Sequence, residues 1–330
     1  MDEEGHPEAE WVTRRQCPQR PQRMVAGGGV FSEDGRARAA TGPPLNLFKA
    51  GGPSSPYPEI PCLVFSPCAM MSPMEISAVI ITYNEEMSLE GALKSVAGLA
   101  SEIIVVDCFS TDNTIKIARK YTDRVFERAW TNFADQKNFA NSKAAHPWIL
   151  SLDADERVSP ELREELSQLK KTEPEGVAFA VSRQVFYLGR WIRHSGWYPD
   201  RKLRLFRKGK ARWEGEYVHE KLVVEGEVGK LKGAIHHFTY RNIAEHLARI
   251  NKFSDLGAQK LYAQKKKCRW HHLLFLPFFR FLRAYLWKLG FLDGFAGLVI
   301  SVLTGYSIFA RYAKLKEIWK KGERIEPFPY

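Results

Sequence analysis

The chain has 330 residues, of which 45% are hydrophobic and 26% charged, enough for one large core with an appendage. Its formal charge is +11, and the stretch from Lys260 to Tyr330 holds 14 basic against 4 acidic residues. That charge interleaves with bulky apolar residues, as in Phe278-Phe279-Arg280-Phe281-Leu282-Arg283, which favours an anionic membrane surface as partner and speaks against nucleic acid. The five cysteines (Cys17, Cys62, Cys68, Cys108, Cys268) show neither zinc-ligand nor redox-motif spacing and read as a set without a disulfide framework.

Residues 1–73 are rich in Gly, Pro, Arg and Ala, carry no apolar periodicity and read as a disordered extension. No apolar core of signal-peptide length follows their charges. The pattern changes at Met74, which leads straight into a strand. The expectation is that Met74 is the start made in the cell and that 1–73 is an over-extended reading frame. Mass spectrometry of the native N-terminus checks this, and a peptide from 1–73 overturns it.

From Met74 the chain alternates. An apolar strand over Ile76–Tyr83 precedes a helix over Met87–Leu99, spaced by Leu89, Leu93 and Val96. A strand over Glu102–Asp107, a helix over Asn113–Tyr121 and a short strand over Arg124–Glu127 follow, then a helix over Phe133–Ala145 and a strand over Trp148–Leu152. Strict alternation with apolar strands predicts an α/β fold with a mostly parallel sheet covered by helices on both faces. Ligands of such sheets bind beyond the carboxyl ends of the strands. After Gly176 the pattern is less regular, with strand-like Val177–Val185 and Lys202–Phe206. Asn242–Gln264 reads as a polar helix, and His271–Leu289 and Phe295–Lys320 as apolar-rich helices with basic flanks. The expected organisation is an extension over 1–73, a catalytic domain over 74–240 and an amphipathic helical, membrane-associated region over 241–330.

The strand ends carry the polar groups. Thr82, Tyr83, Asn84 and Glu85 follow the first strand, Asp107 closes the second ahead of Ser110-Thr111-Asp112, and Asp153-Ala154-Asp155 ends the fourth. Carboxylates at i and i+2 of an extended or turning segment can share one side of the chain. Such a pair suits Mg²⁺ or Mn²⁺, which bind one or two carboxylates plus substrate phosphates. The competing reading is that one of them caps the helix starting at Pro160. Asp107 can accept a hydrogen bond from a base or ribose, while Ser110, Thr111 and Asp112 can equally hold the loop shape.

Three runs then give a resemblance: Ile80-Ile81-Thr82-Tyr83-Asn84-Glu85-Glu86, Val105-Val106-Asp107 with Ser110-Thr111-Asp112-Asn113-Thr114, and Leu152-Asp153-Ala154-Asp155-Glu156. In this order they resemble family 2 glycosyltransferases of the GT-A fold, and among these the bacterial lipopolysaccharide inner-core β-1,4-glucosyltransferases. The resemblance implies a nucleotide pocket from Thr82, Tyr83, Asn84, Glu85, Asp107 and Ser110, with Asp153 at the ribose and metal and Asp155 at the metal. It implies a hexosyltransferase that inverts the anomeric carbon by direct displacement, uses a nucleotide-sugar donor, UDP-linked, and extends a lipid-linked glycan at the cytoplasmic face of the bacterial inner membrane as a peripheral protein.

Inversion needs a general base at the acceptor hydroxyl. Two carboxylates compete for it. Glu220 closes Gly215-Glu216-Tyr217-Val218-His219-Glu220, and a Val-His-Glu segment recurs in the similar enzymes; Asp200 follows Trp197-Tyr198-Pro199. His237, before Phe238-Thr239-Tyr240, looks like a histidine of those enzymes that completes the metal shell. Lys137 on the third helix can face the donor, and Arg204 and Arg207 can steady a diphosphate.

Gly294–Ala310 is an uncharged run with basic flanks and interspersed Gly, Ser and Thr. At 17 residues it sits at the lower limit for a membrane span. It reads as part of an interfacial helix pair. Two other classes make different demands. A nucleotidyltransferase needs a glycine-rich loop with a basic residue after the first strand, and Thr82-Tyr83-Asn84-Glu85 supplies none. A non-catalytic membrane scaffold predicts a broken Asp-x-Asp motif, and both aspartates are present. A dehydrogenase fingerprint is absent as well.

Overall fold

A computed structural model describes residues 74–172, 174–215 and 220–321 of the chain; the extension 1–73 lies outside the described residues. In chain order the elements are β1 (Ile76–Thr82), α1 (Leu89–Val96), β2 (Glu102–Asp107), α2 (Thr114–Ala118), β3 (Val125–Glu127), α3 (Phe133–Ser142), β4 (Trp148–Asp153), β5 (Glu156–Val158) and α4 (Pro160–Leu169). They continue with β6 (Ala178–Tyr187), β7 (Arg190–Trp191), β8 (Asp200–Arg207), β9 (Ala211–Glu214), β10 (Lys221–Val224), β11 (Val228–His237), α5 (Ile243–Ala263), α6 (Trp270–Leu282) and α7 (Gly294–Lys321).

The main sheet has the order β3-β2-β1-β4-β8-β6-β11-β5, with β7 paired to β6 and a separate β9–β10 hairpin. The strands β3, β2, β1 and β4 are all parallel. Beyond β4 the sheet is mixed: β8 is antiparallel to β4 and β6, β11 is parallel to β6, and β5 is antiparallel to β11. The sheet is thus parallel through β3, β2, β1 and β4, and beyond them parallel and antiparallel pairs mix. Parallel neighbours need a long crossover, usually a helix, and after α4 the chain makes its strands without intervening helices.

The apolar strands are explained by cover on both faces. Ile76, Ala78 and Ile80 pack with Leu89 and Leu93 of α1 and Leu162 and Leu166 of α4. The alternate residues Val79 and Ile81 pack with Phe133 and Ala140 of α3 on the opposite face. Each such fully buried aliphatic side chain contributes about 1.5–3 kcal/mol. Helix starts follow the capping rules: Asn132, Ser159 and Asn242 accept hydrogen bonds from the backbone N–H of Asp135, Leu162 and Glu245 at 2.8, 3.1 and 2.8 Å. Ser159, ahead of Pro160 at the first turn, is thus the cap of α4. Neither Asp153 nor Asp155 serves that purpose.

Gly233 sets how closely β11 approaches α4. A Cβ there would lie 2.4 Å from the Cα of Leu162. The ladder register shifts between Lys230 and Ala234, and from Ala234 onward β11 runs in regular pairing to its end at His237.

The C-terminal helices are tied to this core. Asp293, buried at the start of α7, accepts the backbone N–H of His194 at 2.8 Å, and the N–H of Ser195 donates to the carbonyl of Lys288 at 2.9 Å. Lys314 of α7 reaches Asn251 Oδ1, Ser254 Oγ and Asp255 Oδ1 of α5 at 2.7, 2.8 and 2.7 Å. Between α6 and α7 lie a π-helical turn, Arg283–Trp287, and a 3₁₀ turn, Gly290–Asp293. Gly290–Lys321 is the one stretch among the described residues long and apolar enough to cross a membrane, and 44% of its most apolar window is buried inside the fold. Cys268 is a free thiol.

Candidate active site

The parallel strands deliver their last residues to one edge. Thr82 stands beside Asp107 in the β1–β2 ladder, and Ile81 beside Asp153 in the β1–β4 ladder. Between the two loops that follow β1 and β2 runs a dense set of bonds. The N–H of Asn84 donates to Ser110 Oγ (2.8 Å), which donates to Asp107 Oδ2 (2.5 Å), and the N–H of Ser110 donates to Asp107 Oδ1 (2.7 Å). The N–H of Thr111 donates to Asn84 Oδ1 and that of Glu85 to Thr114 Oγ1, each at 2.8 Å. Asp112 accepts from the N–H of Thr114 and of Glu86. Asp107 is fully buried, and burial pushes its carboxyl up against the opposing pull of the Ser110 hydrogen bonds. Asn84, Asp107 and Ser110 together brace the two loops, with Asn84 and Phe109 in the left-handed region at φ 50° and 56°.

The cleft beyond the brace is lined by Thr82, Tyr83, Glu85, Trp130, Gln136 and Asp155, among others. Two buried groups in its wall lack hydrogen-bond partners among the described residues: Thr82 Oγ1 and both amide atoms of Gln136. Such groups are costly to bury unless something meets them. The space within the cleft is about 30 Å³, room for a water or two.

Under this cleft the structure gathers an alternating chain of buried charges. Arg183 donates to Asp200 Oδ2 through Nε at 2.9 Å and through Nη2 at 2.5 Å, and its Nη1 lies 3.5 Å from Glu156 Oε1. Arg204 Nη2 donates to Glu156 Oε1 at 2.7 Å and to Asp153 Oδ2 at 3.1 Å. Lys137 Nζ stands 3.8 Å from Asp153 Oδ1, donates to Glu220 Oε1 at 3.1 Å and lies 3.9 Å above the ring of Trp213. Both base candidates, Asp200 and Glu220, are therefore the two ends of one chain. Asp200 is held at both oxygens, because Lys202 approaches Oδ1 at 3.4 Å.

Beside the chain, His237 Nε2 lies 3.2 Å from Asp155 Oδ2, and the N–H of Phe238 donates to the Asp155 carbonyl at 3.0 Å. Burial pushes the His237 imidazole down, opposed by the Asp155 charge. Asp153 faces Arg204 and Lys137 while Asp155 faces His237. Among the described residues no three Asp, Glu, His or Cys side chains converge as a ready-made metal cage. The donor set still fits Mg²⁺ or Mn²⁺, which take few protein ligands beside phosphate oxygens.

The two arginines expected at the diphosphate part company. Arg204 belongs to the charge chain. Arg207 pairs in register with Trp148, at the far end of β4, and lies over that ring. That is five residues before Asp153, roughly 16 Å along a strand rising ~3.3 Å per residue, so Arg207 is no part of the site. Glu156, Arg183 and Gln136 were not expected. Burial alone would raise the Glu156 carboxyl, but Arg204, Arg183 and His237 hold it well below the usual carboxylate range. Its contribution to stability is complete above about pH 4.3, the ordinary carboxyl value, and is lost as pH falls toward the depressed folded value. Glu156→Gln is expected to cost about 3–5 kcal/mol at neutral pH by leaving Arg204 and Arg183 undercompensated, and to flatten the acid side of the stability–pH curve. Urea unfolding across pH measures both effects; an unchanged acid limb refutes the assignment.

The sequence profile described as "Glycosyl transferase family 2" matches residues 77–222. The chain is 35% identical over 258 residues to the lipopolysaccharide core biosynthesis glycosyltransferase LpsC of Rhizobium meliloti, covering 74% of this chain and 95% of LpsC. It is 30% identical over 271 residues to an uncharacterized glycosyltransferase of Rickettsia felis, covering 76% and 93% of the two chains. The crystal structure of S. aureus TarS 1-349 in complex with UDP-GlcNAc aligns at 13% identity and a TM-score of 0.39, covering 77% of this chain and 93% of TarS 1-349. The chain belongs to glycosyltransferase family 2. Its fold is accordingly of the GT-A type, a mixed sheet flanked by helices, with the long C-terminal helix α7 added.

Proposed function

We propose that the chain transfers a hexose, with inversion, from a UDP-linked nucleotide-sugar to a lipid-linked glycan acceptor, in synthesis of the lipopolysaccharide core or another cell-envelope glycan. One observation carries this reading: the buried charge chain ends at Glu220 and runs beside the Asp155–His237 pair, at the carboxyl edge of the parallel strands. The name of LpsC supports the acceptor class, and the UDP carrier follows the family likeness.

Asp155 and His237, with Asp153 adjacent, would hold Mg²⁺ or Mn²⁺, which supplies counter-charge to a diphosphate. Thr82 and Gln136 offer hydrogen bonds to the nucleoside. Glu220 accepts the proton of the acceptor hydroxyl as that oxygen bonds to the anomeric carbon. The bond from the same carbon to the diphosphate oxygen breaks, and the diphosphate leaves with the electron pair. Lys137 holds Glu220 in place. Asp200, gripped by Arg183 and Lys202, anchors the other end of the chain and serves as a positioning residue. A screen of common nucleotide sugars with purified protein and Mn²⁺, scored by nucleotide release with and without bacterial lipid extract, tests the reading. Release from no donor sinks it.

The protein acts peripherally at the cytoplasmic face of the inner membrane. Phe278, Phe279, Trp287, Phe295 and Val302 are exposed along α6, the π-helical turn and α7, beside basic residues. Lys and Arg then meet lipid phosphates while the rings enter the acyl boundary. Raising salt is expected to release the protein from vesicles containing anionic lipid, because charge attraction is screened within about 8 Å at physiological ionic strength. Vesicle flotation measures it; retention independent of salt argues for a spanning helix.

A further inference from the structure

The strands that carry the buried charges present a different surface on their other face. Arg157, His236 and Gln184 stand side by side in register across β5, β11 and β6. Alternation along a strand places Phe238 and Phe186 next on that face, and Trp191 of β7 pairs with Phe186. The intervening Glu156, His237 and Arg183 point the other way, into the candidate active site. The rings on the outer face touch one another. Centroids of Phe186 and Trp191 are 5.0 Å apart, of Phe186 and Phe238 5.7 Å, of Trp191 and Phe238 5.6 Å, and of Trp191 and His236 4.0 Å. All four residues are half-buried, so they form an aromatic floor that still meets solvent.

Arg157 lies across this floor. Its guanidinium carbon is 4.1 Å from the centre of the Phe238 ring, a cation–π contact. Burial pushes that guanidinium down, and no carboxylate among the described residues pulls it back; Glu161 acts on His236 and not on Arg157. A part-buried guanidinium without an oxyanion keeps its fork of N–H donors available to a ligand. Gly91 of α1 makes room for it: a Cβ there would lie 2.5 Å from Arg157 Nη2. The floor joins the candidate active site at the strand ends. Phe238 directly follows His237, its N–H donates to the Asp155 carbonyl at 3.0 Å, and Arg157 is two residues beyond Asp155.

We propose that this floor is a sugar-binding subsite for an acidic residue of the acceptor glycan: the C–H face of the sugar ring stacks on Trp191 and Phe238, and its carboxylate or phosphate takes the paired N–H donors of Arg157. The proposal rests on the glycan acceptor of the proposed function and adds which part of the acceptor is held, and by what chemistry. Sugar C–H groups carry partial positive charge, and the faces of aromatic rings are negative. A guanidinium meets a carboxylate or a phosphate through two parallel hydrogen bonds. A glycan held there runs over the strand ends toward Asp155 and His237.

The test uses the full chain and saturation-transfer NMR titrations with methyl β-glucuronide, glucose 6-phosphate, methyl β-glucoside, acetate and inorganic phosphate. At least one of the two acidic sugars is expected to bind about tenfold or more tighter than the glucoside and than its own free anion. Which of the two does so tells a carboxylate from a phosphate. Arg157→Gln is expected to weaken the acidic sugar about tenfold and to remove its advantage over the glucoside. Trp191→Ala is expected to weaken acidic and neutral sugars alike. Gly91→Ala alters no ring and favours the helix, yet it pushes Arg157 aside and is expected to behave as Arg157→Gln does. Thermal unfolding checks that each variant is folded. The glucoside binding as tightly as both acidic sugars overturns the proposal, and so do free anions binding as tightly as the sugars that carry them. If nucleotide is released from no sugar donor yet the acidic sugar binds and the variants weaken it as stated, the transfer reading fails and the subsite stands. If transfer occurs and folded Arg157→Gln and Trp191→Ala proteins bind the acidic sugar normally, the subsite alone fails.

Discussion

Asp155→Ala is expected to lower kcat by at least about 10²–10³-fold, the scale on which single charge-stabilising groups act in acyl and phosphoryl chemistry. It is also expected to remove the Mn²⁺ dependence of donor binding. The reason lies in the local geometry. Asp155 is 7% exposed and its Oδ2 lies 3.2 Å from His237 Nε2, which puts its charge directly against that imidazole. Asp153 is engaged by Arg204, and Glu156 by Arg204 and Arg183. Asp155→Asn keeps the shape and the hydrogen-bonding capacity while removing the charge, so it separates charge from packing: it is expected to resemble alanine in turnover and wild type in melting temperature. Steady-state kinetics with a matched titration of donor in the presence and absence of Mn²⁺ decides it. Near-normal turnover of either variant refutes the role given to Asp155.

What could be read from the sequence was set by local physics. β1, β2 and β4 were legible because strands covered on both faces are apolar throughout, and Ile76–Thr82 is buried at every position. The strand ends were legible because a parallel sheet sends its carboxyl termini to one edge. The second half of the sheet was not, since the order of β8, β6 and β11 depends on which edges remain open after the first four strands have paired. The bonds that link Asn84, Asp107 and Ser110 across the two loops had no signature in the sequence, because they join residues 26 and 27 positions apart as well as near neighbours. Arg183 left a trace that was passed over: it sits at an inward position between Val181 and Val185, where a charge demands a partner. Arg207 carried a warning as well. It is three residues from Arg204 on one strand, a spacing that puts the two side chains on opposite faces. The Lys137–Glu220 pair spans 83 residues and had no local signature at all.

That pair sets the second large effect. Glu220→Gln is expected to lower kcat about 10²–10⁴-fold, the usual worth of a positioned general base, while donor affinity stays within about twofold. The difficulty is that Glu220 is also an ion-pair partner of Lys137, which is 2% exposed and lies 3.8 Å from Asp153. A purely structural Glu220 would therefore also lower activity, by letting Lys137 drift and disturbing Asp153. The two roles differ in what Lys137→Met does. If Glu220 is the base, Lys137→Met keeps the proton acceptor and retains much more activity than Glu220→Gln, and the double variant is no more active than Glu220→Gln. If Glu220 only anchors Lys137, the two single variants lose similar activity and the double variant regains stability, because no buried charge is left without its partner. Kinetics and urea unfolding of the four proteins in this cycle separate the cases, and Asp200→Asn in the same assay gives the reference for a carboxylate whose loss is felt through Arg183 rather than at the acceptor.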